Sequence, residues 1–282
     1  MSVKIIIDST ADFSLQETER LGLLRAPLTL HWDDVEYRDG IDITPAEFFP
    51  RLSKSKNLPT TSQVPVPVFE DLFHEVVSAA DEAVAILISH NLSGTFQSAT
   101  IARDALENGS EAIHLVDSGT ASLGAMLLIY EAIRLRDSGS TAKEIAAAIG
   151  DISGRLHIIA AVETLKYLHK GGRLSAGAAV MGTLLSVKPI LDIQDGTISV
   201  AQKVRGSSAA YQWIAGQLAQ TGWDPAFSPI IGSTQCPEAT QQFSDAVAEK
   251  TDYHCNRFCD IGSVIGTHSG PGTVAIAYIL PR

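Results

Sequence analysis

The sequence predicts an α/β protein of two domains. An N-terminal domain, residues 1–154, is expected to hold a parallel α/β sheet; a C-terminal α+β domain, residues 155–282, is expected to hold a mainly antiparallel sheet. Three observations predict this. Short apolar runs alternate with helix-patterned segments through the first half. A hairpin signal, Asp195-Gly196, joins two strand-like runs in the second half. A length of 282 residues with 45% hydrophobic content suffices for one large or two moderate cores.

In order, Lys4–Asp8 reads as a strand. A helix starts at Ser14, an N-cap with Glu17 three residues on. Arg25–Tyr37 reads as one extended run, closed by an Asp39-Gly40 turn. Pro45–Leu52 is a short helix opened by proline. Lys54–Pro67 reads as a polar, proline-bearing loop, and Val68–Ala80 as a helix. Strand and helix then alternate: Ala83–Ile88, Thr95–Leu106, Ala112–Val116, Ala121–Arg136. Thr141–Ile149 is a helix with Thr141 and Glu144 as a capping box.

The second half opens with strand Leu156–Val162 and a short helix, Glu163–His169, ending at Gly171-Gly172. Lys188–Ile193 and Thr197–Val204 flank a type I′ turn. Ser207–Gln220 and Pro237–Glu249 read as helices. Ile230–Thr234, His254–Asp260 and Thr273–Leu280 read as strands.

Parallel sheets bind ligands beyond the carboxyl ends of their strands. Three hydroxyl-bearing loops leave such ends: Asp8-Ser9-Thr10, the Ser93 loop and Asp117-Ser118-Gly119-Thr120. All three are expected to serve a site rather than turns alone.

Charge and cysteine content narrow the function. Lys and Arg number 21 against 32 Asp and Glu, a net charge of −11. Such a surface repels nucleic acid and anionic lipid headgroups, so neither is an expected partner. Three cysteines are too few for a disulfide framework, which points to a reducing, cytoplasmic compartment. The first residues read as a buried strand, not a secretory segment. The longest weakly polar stretch, Leu174–Val187, falls short of the ~20 residues a spanning helix needs. Cys255 and Cys259 share one face of an expected strand as buried thiols, and no metal is expected.

Two motifs carry candidate chemistry. Ser93-Gly94-Thr95 precedes a helix, whose first N–H groups attract anions. The competing reading makes Ser93 or Thr95 a plain N-cap. Thr267-His268-Ser269-Gly270-Pro271-Gly272 sets a histidine on a Gly/Pro-rich turn before the last strand. The competing reading is a surface histidine at the end of a helix. Together the motifs make a donor-rich niche for one carboxylate or phosphate. Thr60-Thr61-Ser62-Gln63 adds hydroxyls on an extended segment between prolines. Lys170-Gly171-Gly172-Arg173 reads as a glycine helix end with two exposed cations, or as a docking point for an acidic partner. Nucleotide loops of the G-x-x-x-x-G-K-[ST] and G-x-G-x-x-G types are absent from the sequence.

The chain resembles the DegV family of bacterial fatty-acid-binding proteins, lipid-carrying subunits of a fatty acid kinase. The residues behind the resemblance are Ile7-Asp8-Ser9-Thr10, Thr61-Ser62-Gln63, Ser89 to Thr95, Val116-Asp117-Ser118, Lys170 to Ser175, Lys188-Pro189-Ile190-Leu191 and His268 to Gly272. The resemblance implies a ligand clamped between two domains. Thr61, Ser93 and His268 would hold a fatty acid carboxylate, with Ser62 and Gly94 contributing locally, and the acyl chain would enter a tunnel in the C-terminal domain. Arg173 would meet an ATP-binding kinase subunit that converts the carboxylate to an acyl phosphate for phospholipid synthesis. No cofactor is implied beyond the bound long-chain fatty acid, no stable membrane insertion and no turnover by the chain itself; the expected state is a monomer. After Gln63 the chain runs Val64-Pro65-Val66-Pro67, where relatives often have Pro then Ser. Ala176–Thr183, with Met181, Leu184, Leu185 and Ile265, is the expected tunnel wall, with ordinary helix packing as the competing reading. Two other functions stay open. One is a serine hydrolase using Ser93, Asp117 and His268, which fall in α/β-hydrolase chain order. The other is a phosphoryl carrier using His268.

Overall fold

The computed structural model describes residues 2–174 and 186–282. In the first half, β1 (Val3–Asp8) leads through a 3-10 turn to α1 (Leu15–Leu21). Then come β2 (Leu23–Ala26), β3 (Thr29–Trp32), β4 (Val35–Arg38), α2 (Pro45–Lys54) and β5 (Thr60–Ser62). α3 (Val66–Ser78), β6 (Glu82–Leu87), α4 (Thr95–Asp104), β7 (Ile113–Asp117), α5 (Leu123–Asp137) and α6 (Ala142–Ser153) complete it. The second half runs β8 (Leu156–Ala161), α7 (Lys166–Lys170), β9 (Val187–Gln194), β10 (Thr197–Arg205) and α8 (Ser207–Thr221). It ends with β11 (Ile230–Ser233), α9 (Pro237–Thr251), β12 (Phe258–Asp260), α10 (Ser263–Ser269) and β13 (Val274–Ile279).

Three sheets result. β2-β1-β6-β7 is parallel throughout. β10-β9-β8-β13-β11-β12 is antiparallel except for the β11–β12 pair. A small antiparallel sheet, β4-β3-β5, joins the first half. The fold is therefore α/β with a parallel N-terminal sheet and a mainly antiparallel C-terminal one. Local chemistry explains much of it. The Ser14–Glu17 and Thr141–Glu144 capping boxes form, and a third, Thr44–Glu47, opens α2. Asp195 and Gly196 both take positive φ, 47° and 66°, as a type I′ hairpin requires.

The structure corrects several expectations. The Arg25–Tyr37 run breaks into strands because Asp33 and Asp34 turn the chain at φ 50° and 64°. The polar loop before Pro67 contains β5, whose backbone pairs with β3 despite its hydrophilic sequence. The strand expected over His254–Asp260 shrinks to Phe258–Asp260, so Cys255 does not share it with Cys259. His268 stands on the last turn of a helix, α10, not on a loop. Of the expected tunnel wall, Ile265 is described; Ala176–Thr183, Leu184 and Leu185 lie outside the described residues.

The core sets up the site. β8 is apolar on both faces: Ile158 and Ala160 join the core shared with α5, while Ile159 and Ala161 join the one under α8 and α9. β13 divides in the same way, with Ala275 on the first side and Ile276 on the second. Each such fully buried aliphatic side chain contributes about 1.5–3 kcal/mol. Among the described residues no helix is long and apolar enough to cross a membrane.

Candidate functional site

A cavity of about 400 Å³ opens between the two sheet systems. Its walls are apolar, with Ile158, Ala160, Leu191, Ile193 and Ile198 from the second half and Ile88, Leu92 and Leu123 from the first. Thr61, Ser93, Gly94, Arg173, His268 and Ser269 also line it.

Strand alternation places Thr61. β5 turns Thr61 toward α10, where Thr61 Oγ1 lies 2.8 Å from His268 Nε2. The next side chain points elsewhere: Ser62 Oγ lies 2.6 Å from His31 Nε2 on the neighbouring strand. Ser62 borders the cavity, but its hydroxyl is engaged on the other side.

His268 is held from behind by Gly171, where a Cβ would come within 2.2 Å of the imidazole Nδ1. Burial first, then the positive charge of Arg173, lowers the His268 pKa from 6.5 to about 4. The ring is neutral at physiological pH. Its buried Nδ1 has no protein partner, and neither does the buried Oγ of Ser269.

The Ser93 loop is anchored at both ends. Ser93 N–H donates to the Ser89 carbonyl, and Thr95 Oγ1 accepts from Val64 N–H at 3.2 Å. Ser93 Oγ lies 2.9 Å from Thr95 Oγ1 and accepts, at 3.3 Å, from the Thr95 N–H at the start of α4. The N-cap of α4 is Gly94, not Ser93 or Thr95; Ser93 stands one residue before it, accepts from the first helical N–H and also lines the cavity. A Cβ at Gly94 would sit 2.0 Å from Gln63 Oε1, and the Gln63 amide donates to Ser98 Oγ on α4 at 2.8 Å. That contact locks the β5 loop to the head of α4.

Other expectations resolve differently. Arg173 is half-buried rather than an exposed cation; its guanidinium donates to the carbonyls of Leu92 and Gly171, while Lys170 stays exposed. The Asp8 loop does not reach the cavity. Asp8 Oδ1 accepts from Thr10, and its Oδ2 accepts from Ile88 N–H at 2.6 Å, fastening β1 to β6. Ser118 likewise closes a turn on Thr120. A Ser93–His268–Asp117 triad is not assembled: Asp117 pairs with His90, and His268 faces Thr61. Among the described residues no group of His, Cys, Asp or Glu is placed to hold a metal ion.

Sequence reasoning missed Ser269 and most of the strand wall. Ile158 and Ala160 alternate legibly, but Ile159 and Ala161 between them are also apolar, so periodicity could not say which face borders a cavity.

The chain is similar to known proteins over nearly its whole length. A DegV domain-containing protein of Caldanaerobacter subterraneus is 33% identical over 279 residues, covering 98% of each chain. A solved structure described as fatty acid binding of a DegV family protein from Thermus thermophilus superposes with a TM-score of 0.87 at 28% identity, covering 99% of this chain and 100% of that one. A stearic-acid-binding protein from Eubacterium ventriosum superposes with a TM-score of 0.88 at 26% identity, covering 99% and 98%. The model of a family described as uncharacterised proteins, DegV family, matches residues 2–280. With a match of that extent, the chain belongs to the DegV family.

Proposed function

We infer that the protein binds one long-chain fatty acid, with the carboxylate at Thr61, Ser93 and His268 and the acyl chain along the β8–β10 wall. The observation that carries this is the apolar-walled cavity whose lining also includes Thr61, Ser93 and the neutral His268. Each buried methylene adds about 0.8 kcal/mol, so chain length supplies affinity. The hydroxyls and the neutral imidazole fix the head group. Relatives described as fatty-acid-binding support the same reading.

The finer role follows from the family resemblance. The protein holds the fatty acid without turning it over. It works as a cytoplasmic monomer of two domains, 1–154 and 155–282, and presents the carboxylate to an ATP-dependent kinase subunit for acyl phosphate formation. Ser62 and Gly94 shape the head-group end, and Arg173 meets the kinase. A carboxylate held by neutral donors keeps more of its nucleophilicity than one in a tight Arg ion pair.

The test is extraction of the purified protein into organic solvent followed by mass spectrometry. Stoichiometric long-chain fatty acid is expected. A protein that comes out empty and then refuses added fatty acid rejects this function.

A further inference from the structure

The tip of the β9–β10 hairpin belongs to the second half by sequence, yet it is seated in the first. Turn tips are usually exposed, but Gly196 is buried. Its N–H donates to the Gly119 carbonyl at 2.6 Å, and the Asn91 side chain donates to the Asp195 carbonyl at 3.1 Å. Ser89 and Gly119 stand just past the ends of β6 and β7, so the tip lies beyond the carboxyl ends of two neighbouring parallel strands. That is where such sheets usually take a ligand. Here the chain's own backbone fills the place. The fit is close: a Cβ at Gly196 would strike the Ser89 hydroxyl and come within 3.0 Å of the Asn91 Cβ. The seat is itself tied down. Asp117 Oδ1 accepts from Gly119 N–H at 2.9 Å, and the Ser89 hydroxyl accepts from Asn91 N–H at 3.2 Å.

We propose that Asn91 and Gly196 are positioning residues for the acyl cavity: the seated tip fixes the wall strands β9 and β10 and ties them to the head-group loop. Ile158, Ile193 and Ile198 stand side by side across β8, β9 and β10, and all three line the cavity. Ile193 and Ile198 face each other across the hairpin, close behind its Asp195-Gly196 tip. On the other side of the contact, Ser89 abuts the tip and its carbonyl accepts from Ser93 N–H. One seat thus touches both the wall and the loop that carries Ser93. The inference rests on the fatty-acid reading of the cavity.

The wall needs such a seat because of where it lies. Among the described residues β10 pairs only with β9, at the edge of the six-stranded sheet. A two-stranded hairpin held by its own ladder is marginal, and edge strands twist and open locally. Any swing of the tip moves Ile193 and Ile198 first, while Ile158 is held between β9 and β13. A contact that only stabilised the fold would raise the unfolding free energy and leave the wall in place. A positioning contact moves the wall when it is broken.

Two variants unseat the tip from opposite sides. Asn91→Ala removes the donor and leaves the hairpin sequence intact; Asn91 is exposed, so this variant keeps the test open should the other fail to fold. Gly196→Asn keeps a residue that tolerates the left-handed turn but sets a side chain against Ser89. Each is compared with wild type by ¹³C NMR of the isoleucine δ1 methyls without ligand and by stopped-flow release of a fluorescent long-chain fatty acid. We expect the Ile193 and Ile198 methyl signals to shift or broaden while Ile276, on the far face of the sheet, stays put. Release should quicken roughly tenfold. Wall methyls that stay put in the folded variants overturn the inference, and so does unchanged release. If wild type takes up no fatty acid, the proposed function falls instead, and the methyl spectra alone decide the positioning role.

Discussion

Gly171 packs directly behind His268, leaving no room for even a methyl group beside the imidazole Nδ1. The glycine ends α7, and the ring it supports ends α10. Two helix termini thus brace one side chain. Gly171→Ala should push the imidazole away from Thr61 and weaken fatty-acid binding at least about tenfold. Global stability should change by only about 1 kcal/mol, because Gly171 takes an ordinary right-handed conformation. Fatty-acid titration alongside urea denaturation measures both; unchanged affinity would remove the brace from the account.

The hydroxyls of Thr61 and Ser93 can be tested singly. Thr61→Ala or Ser93→Ala should each weaken fatty-acid binding by roughly 1–3 kcal/mol, through an acceptor left short of a donor. Ser62→Ala should have little effect, since that hydroxyl is engaged with His31. Equal losses for all three would place the carboxylate elsewhere.

His268 makes a stability prediction whose sign is fixed. Its folded-state pKa, about 4, lies below the ordinary value of 6.5. Between these values the unfolded chain binds a proton that the folded chain does not. The contribution of His268 is therefore complete above about pH 6.5 and is lost as pH falls toward 4, by a total of about 3 kcal/mol. His268→Gln removes this part of the slope. Denaturant unfolding of both proteins at several pH values isolates the difference, and parallel curves would show the ring to be solvated.

Filling the cavity should separate binding from folding. Ala160 lines it on β8 and is 4% exposed. Ala160→Phe points an aromatic ring into the space proposed for the acyl chain. We expect fatty-acid uptake to fall at least about tenfold while stability stays within about 1–2 kcal/mol. Full uptake by a folded variant would mean that the chain runs along another path.

Arg173 holds the carbonyls of Leu92 and Gly171, at the polar end of the cavity. Arg173→Ala should leave fatty-acid binding within about threefold and slow phosphorylation by the partner kinase. A reconstituted assay with unchanged phosphorylation would reject the docking role.

Much of this protein was legible before folding was considered. The alternation of apolar runs and capping boxes dictated the parallel sheet, because strand and helix periods and N-cap chemistry are local. Asp195-Gly196 announced its hairpin for the same reason. Thr61, Ser93 and His268 stood out as hydroxyls and an imidazole in loop-like contexts.

The tertiary structure decided what those residues face. Pairing with β3 made a strand of Thr60–Ser62, and alternation then turned Thr61 inward and Ser62 toward His31. The Gly/Pro-rich context of His268 stands at the end of a helix, α10, whose place beside β5, some 200 residues earlier in the chain, only packing sets. Which face of doubly apolar β8 borders a cavity was likewise settled by packing, since alternation distinguishes two faces only when their chemistry differs.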